Sequence, residues 1–124
     1  SFGASAVLLY GMPLSPFAQP RNLIGGHLIS AITGVSFYLL FPDNIVLAAS
    51  FAVGIAISLM HLTRTLHPPG GATALIAVVG GQSVHQLGYL YVLTPIGVGA
   101  VIMLVVALIV NNLPNSRHYP EYWW

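Results

Sequence analysis

Charge is almost missing from this chain. Charged side chains make up 4% of its 124 residues and hydrophobic ones 56%, whereas soluble domains carry roughly 25% charged residues. Arg21, Arg64, Arg117, Asp43 and Glu121 are the whole set, too few to give a fold of this size a water-facing surface. The composition therefore points to an integral membrane protein whose surroundings are the lipid bilayer. Lysine is absent and the net charge is +1, which argues against nucleic acid as a partner. Cysteine is also absent, which excludes disulfides, iron–sulfur clusters and thiol catalysis. Ser5, Ser15 and Ser30 have no carboxylate in reach to support hydrolysis, so neither catalytic residues nor an enzyme activity is expected. The opening residues carry no basic segment and no processing site, so no cleavable leader is expected.

What is present is apolar helix. Asn22 to Phe41, Ile45 to Leu66 and Tyr91 to Val110 are each long enough to cross about 30 Å of hydrocarbon at roughly 1.5 Å per residue. Pro42-Asp43-Asn44 is a tight polar turn that makes the first two antiparallel. Two shorter pieces, Gly3 to Met12 and Gly71 to Gly81, give only about 15 Å each, near half a bilayer. They resemble each other: Gly3-Ala4-Ser5-Ala6-Val7-Leu8 matches Gly71-Ala72-Thr73-Ala74-Leu75-Ile76 type by type. This suggests a weak internal duplication, with residues 1–44 an incomplete first repeat, 45–113 the second, and 114–124 an interfacial tail. Tyr119, Tyr122, Trp123 and Trp124 suit an aromatic belt there. The expected fold is all-α: a polytopic membrane helical bundle with short re-entrant or broken helices. If the short pieces cross, Arg21, Arg64 and Arg117 share one face, as the positive-inside rule prefers. If they re-enter, only Arg117 is cytoplasmic. Length favours re-entry.

The pattern breaks at His67-Pro68-Pro69-Gly70-Gly71-Ala72-Thr73-Ala74. Two prolines stop a helix, two glycines free the backbone, and an apolar helix restarts. A helix start at membrane depth presents N–H groups and a positive dipole end, which suit an anion. The preceding helix carries Ser50, Gly54, Ser58, His61 and Thr65 on one stripe, with Arg64 a turn from both His61 and His67. The helix before that shows Gly26, Ser30 and Gly34 on a small-residue face, read as a close helix contact, with His27 at its border. The antiparallel turn brings Gln19, Arg21, Asn22 and His27 toward Arg64, His67 and the Gly70-Gly71 backbone. Thr73 adds a hydroxyl, and Ser5 supplies the equivalent position in the first short helix. His61 and His67 are candidate proton relays, since free imidazole titrates near 6.5. This is a donor-rich cluster without a carboxylate, suited to a small inorganic anion. No metal and no other cofactor is expected. Competing readings are a metal or haem redox subunit, with His27 and His61 as haem ligands, and a non-transporting membrane sensor. A homo-oligomer is left open. His85 and His118 fall in loops and are expected to be solvated.

At these residues the chain resembles the HPP family of small membrane proteins. The matching stretches are Gly3 to Leu9, Ser15-Pro16-Phe17-Ala18-Gln19-Pro20-Arg21-Asn22, Ile24-Gly25-Gly26-His27, Thr65 to Ala74, and a closing Tyr119-Pro120. The resemblance implies four membrane-spanning helices, the first of which would precede Ser1. It implies transport of nitrite or nitrate, as associated with members in plastid envelopes and cyanobacteria, and hence a bacterial inner membrane or plastid envelope. Some bacterial members carry CBS domains, which this chain does not show.

Overall fold

The computed structural model describes residues 1–115 and 118–124. Arg117, counted above toward the cytoplasmic face, lies outside the described residues. Every regular element among the described residues is helical. The first, α1, is a short apolar helix over Phe2–Gly11. Its last turn, Val7–Gly11, widens to π-type bonding. A 3₁₀ turn at Pro16–Ala18 follows, opened by Ser15, whose Oγ accepts from the Phe17 amide at 3.3 Å. Helix α2 spans Pro20–Leu40. It begins with proline at the first helical position, where a missing N–H leaves no intrahelical bond unmade. Helix α3 spans Ile45–Leu62, and the Asn44 side chain caps it by accepting from the Leu47 amide at 3.0 Å. Helix α4 covers Pro69–Val79, α5 is a single turn at Gln82–His85, and α6 covers Val92–Asn112. The chain kinks near the start of α6, where Thr94 is extended and Pro95 follows, as proline inside a helix requires. Helices α2, α3 and α6 are long and apolar enough to cross a membrane; α1 and α4 are not.

The second span ends at Leu62 rather than Leu66. Arg64 takes a left-handed φ of 57°. The Arg64 amide then bonds back to the His61 carbonyl at 3.2 Å and the Thr65 amide to the Met60 carbonyl at 2.9 Å. This pair of bonds is a Schellman cap, which closes a helix and turns the chain away. Prolines 68 and 69 then prevent it from resuming before α4.

Helices α2, α3 and α4 pack on one another. Along α3, Ala48, Ala52, Ala56 and Met60 recur every fourth residue and are all buried. The alanines meet Ala74 and Val78 of α4, flanked by Phe37, Tyr38 and Phe41. Ser50, Gly54, Ser58 and His61 face outward instead, and of the expected polar stripe only Thr65, beyond the helix, is buried. Two series of small residues compete for the interface on α3. The alanine series takes the interface, and Ser50 and Ser58 donate to carbonyls one turn back, at 2.8 and 2.9 Å.

The Gly26–Ser30–Gly34 face of α2 is a close backbone contact. A Cβ at Gly34 would stand 2.5 Å from the Ala74 carbonyl oxygen, and one at Gly26 would stand 2.5 Å from His67 Cβ. Leu9 of α1 joins Leu23, Ala107 and Tyr119 in a further cluster. Tyr119 is thus not an interfacial aromatic. Its ring is buried and its hydroxyl donates to the Ala18 carbonyl at 2.7 Å. Burial, with Tyr10 adding to it, pushes this phenol up to about 12, so it keeps its proton and remains a donor. Tyr122, Trp123 and Trp124 are exposed. His85 is half-buried rather than freely solvated: it stacks on Tyr38 at 3.7 Å between ring centroids and donates to the Val78 carbonyl at 2.8 Å.

Glycines 34 and 54 should respond oppositely to alanine. Gly34→Ala forces α2 off α4 and should lower stability by about 1–3 kcal/mol. Gly54 has nothing within 4 Å, so Gly54→Ala should gain up to about 1 kcal/mol from helix propensity. Unfolding curves in detergent micelles compare the two; equal shifts would contradict the α2–α4 contact.

Candidate functional site

Four side chains from α1, α2, α4 and the α3–α4 link meet in the interior. Ser5, His27, His67 and Thr73 are each fully buried. Ser5 Oγ lies 2.8 Å from both His27 Nε2 and His67 Nε2. His27 Nδ1 is 2.7 Å from Thr73 Oγ1, and His67 Nδ1 is 2.8 Å from the Phe17 carbonyl oxygen. The imidazole centroids are 4.9 Å apart, and the Phe2 ring closes over His27 at 5.1 Å. The Tyr91 hydroxyl donates to the Thr73 carbonyl at 3.2 Å.

Donor and acceptor counting fixes where each hydrogen sits. The Phe17 carbonyl can only accept, so His67 Nδ1 carries a proton. In a neutral ring Nε2 is then bare and accepts the Ser5 hydroxyl. With its hydrogen so engaged, the Ser5 oxygen accepts from His27 Nε2–H. His27 Nδ1 is therefore bare and accepts the Thr73 hydroxyl. The bonds run one way, from Thr73 through His27, Ser5 and His67 to Phe17, and the two imidazoles hold opposite tautomers. All four side chains are satisfied, as buried polar groups must be.

Other expected site residues have separate duties. Gln19 is buried; its amide nitrogen donates to the Pro13 and Ser15 carbonyls, both at 2.9 Å, and its oxygen accepts from the Glu121 amide at 2.9 Å. It staples the α1–α2 loop to the tail. Asn22 donates to the Leu66 carbonyl and Arg21 to the Thr63 carbonyl, both at 2.8 Å, so the two hold the α3–α4 link against the start of α2. Arg64 and His61 are exposed and stand outside the cluster. Arg64 points away because it occupies the left-handed position of the α3 cap. His27 has both ring nitrogens engaged, so it and the exposed His61 do not form a haem-ligating pair. Among the described residues no group of three or more His, Cys, Asp or Glu gathers as metal ligands would.

The helix start differs from the open amide cradle that the sequence suggests. Pro69 has no N–H. The Gly70 amide bonds to the His67 carbonyl at 2.8 Å and the Gly71 amide to the Pro68 carbonyl at 3.1 Å. The tight turn through Pro68 and Pro69 consumes these donors. Pro68 is exposed, and a Cβ added at Gly71 would lie 4.0 Å from Val53 Cγ1, with no histidine atom as near. Gly70 is the close contact: a Cβ there would stand 2.6 Å from Ser30 Oγ and 3.0 Å from the Gly26 carbonyl. A surface cleft of about 560 Å³ is lined by Pro20, Arg21, Ile24, Gly25, Thr65, Leu104, Trp123 and Trp124, and none of these belongs to the histidine cluster.

Sequence reasoning missed Phe17, Phe2 and Tyr91. Phe17 acts through its backbone carbonyl, which leaves no side-chain signature. Tyr91 is 18 residues from Thr73, a long-range pairing that no local spacing encodes. Because a left-handed φ disfavours any residue with a Cβ, by about 1–2 kcal/mol, Arg64→Gly should stabilise the fold by about 1 kcal/mol. Thermal unfolding in detergent measures this, and a loss of stability would overturn the assignment of Arg64 as a cap.

Comparison with known proteins agrees with this architecture. The family model described as the HPP transmembrane region matches residues 1–120. Two Dictyostelium discoideum proteins, named only as transmembrane proteins, align over the whole chain at 50% and 46% identity. The chain spans 44% and 40% of their lengths, less than half of these curated relatives. No solved structure matches significantly. With its apolar spans and this match over nearly its whole length, the chain belongs to the HPP family of integral membrane proteins, through that family's transmembrane region.

Proposed function

We propose that this chain is a transport module for a small inorganic anion, nitrite or nitrate by family resemblance, with the His27–His67 pair as its charge-bearing site. One observation carries the reading. Two ionisable side chains are enclosed among apolar helices, where such groups are expensive and serve function by default. The chain's two acids, Asp43 and Glu121, are exposed elsewhere. A proton added to the pair therefore has no protein counter-ion, and a small anion fills that role. Ser5 and Thr73, which hydrogen-bond to the imidazoles, bring the nearest side-chain hydroxyls to it. Anion capture then depends on the state of the imidazoles rather than on Arg64 or on the amides at the start of α4. The membrane in which it works, a bacterial inner membrane or plastid envelope by resemblance, is part of the same reading.

Nitrite uptake into proteoliposomes tests the proposal. His27→Gln and His67→Gln should each lower uptake by roughly tenfold or more, the scale of one lost charge-assisted hydrogen bond. Arg64→Ala should leave it nearly unchanged. Unaltered uptake in both histidine variants, with helical content retained, would overturn the site. Absence of nitrite and nitrate flux in the wild-type protein would overturn the substrate class.

A further inference from the structure

We propose that Ser5 is a proton bridge: its hydroxyl passes a single excess proton between His27 and His67, so that the pair is one proton-carrying site rather than two separate bases. The argument starts from the opposite tautomers. Ser5 Oγ is equidistant, at 2.8 Å, from the two Nε2 atoms. In the neutral state it accepts from one and donates to the other, which is the arrangement a two-step proton hop needs.

The transfer balances. A proton arriving at His27 Nδ1 makes that ring an imidazolium. Thr73 then accepts from Nδ1–H and turns its own hydrogen to the Pro69 carbonyl, 3.5 Å from Thr73 Oγ1. Next, His27 Nε2–H passes its proton to Ser5 Oγ while the Ser5 hydrogen passes to His67 Nε2. The serine ends with the one hydrogen it began with. His27 is neutral again as the other tautomer, and His67 carries the charge, donating from Nε2 to Ser5 and from Nδ1 to the Phe17 carbonyl. Only N–H and O–H bonds break and form, and the displacement is within existing hydrogen bonds.

The same geometry limits the site to one proton. If both rings were charged, both Nε2–H groups would point at Ser5, its own hydrogen would lose both acceptors, and two like charges would face each other at 4.9 Å between centroids. The titratable and charged groups around the pair are few. The rings face each other. Tyr91 reaches Thr73 through its hydroxyl, and the Ser1 amino group lies one turn before Ser5 on α1. Arg21 is turned to the Thr63 carbonyl; α3 exposes His61 to the outside, and α6 carries no titratable side chain. None of these is an acid that could neutralise the proton. The consequence for transport, one proton with each anion, rests on the reading in the preceding section; the proton bridge itself does not.

Nitrogen-15 histidine NMR of the protein in lipid bilayers reads the bridge directly. In the neutral state the expected result is the Nδ1–H tautomer for His67 and the Nε2–H tautomer for His27. Acidification should introduce one proton, with exchange between the two rings. Ser5→Ala should abolish that exchange and Ser5→Thr, which keeps the hydroxyl, should restore it. Identical tautomers on the two rings, two protons taken up together, or unchanged exchange in Ser5→Ala would each overturn the proposal. A wild-type protein that shows the opposed tautomers and exchange but carries no nitrite or nitrate would retain the proton bridge and lose the transport reading.

Discussion

The structure depends on a serine hydroxyl shared between two enclosed imidazoles. Ser5 comes from α1, His27 from α2, His67 from the α3–α4 link, and Thr73 from α4, so one chain of hydrogen bonds fixes the mutual positions of elements far apart in sequence. A neutral buried hydrogen bond contributes only about 1 kcal/mol net. Leaving a buried partner unpaired costs about 1–3 kcal/mol per group, however. The asymmetry makes the network all-or-none. Displacing α1 would orphan both Nε2 atoms at once, and displacing α4 would orphan His27 Nδ1.

Helix packing is arranged to permit that junction. Gly26 lets the backbone of α2 approach His67 Cβ, and Gly70 lets the start of α4 approach Ser30 and Gly26. Arg21 and Asn22 pull in the carbonyls of Thr63 and Leu66 on the other side. The polar side chains flanking the cluster therefore act mainly on backbone carbonyls. They position the link between α3 and α4.

The punctuation of the fold was legible in the sequence because it is local. Pro42-Asp43-Asn44 at a turn and Pro68-Pro69 at a break each act on their own backbone. The three spans lie close to the expected positions, and the Gly26–Ser30–Gly34 face makes the close contact its residues suggest. Less was legible on α3, where the alanine series and the Ser50–Gly54–Ser58 series share the helical period and only the neighbours decide between them. The outward turn of Arg64 follows from a left-handed cap that an arginine does not announce. His27, His67, Ser5 and Thr73 were all recognisable as polar residues in or beside apolar segments. Their closure into a one-way chain was not, because it needs the Phe17 carbonyl and the register of three helices.

The central claim is that these groups behave as one connected network rather than as separately buried polar side chains. A double-mutant cycle between Thr73→Val and His67→Ala tests it most directly, because the two residues share no hydrogen bond and communicate through His27 and Ser5. Unfolding free energies in lipid-like micelles should show a coupling of about 0.5 kcal/mol or more. Simple additivity of the two losses would contradict the account.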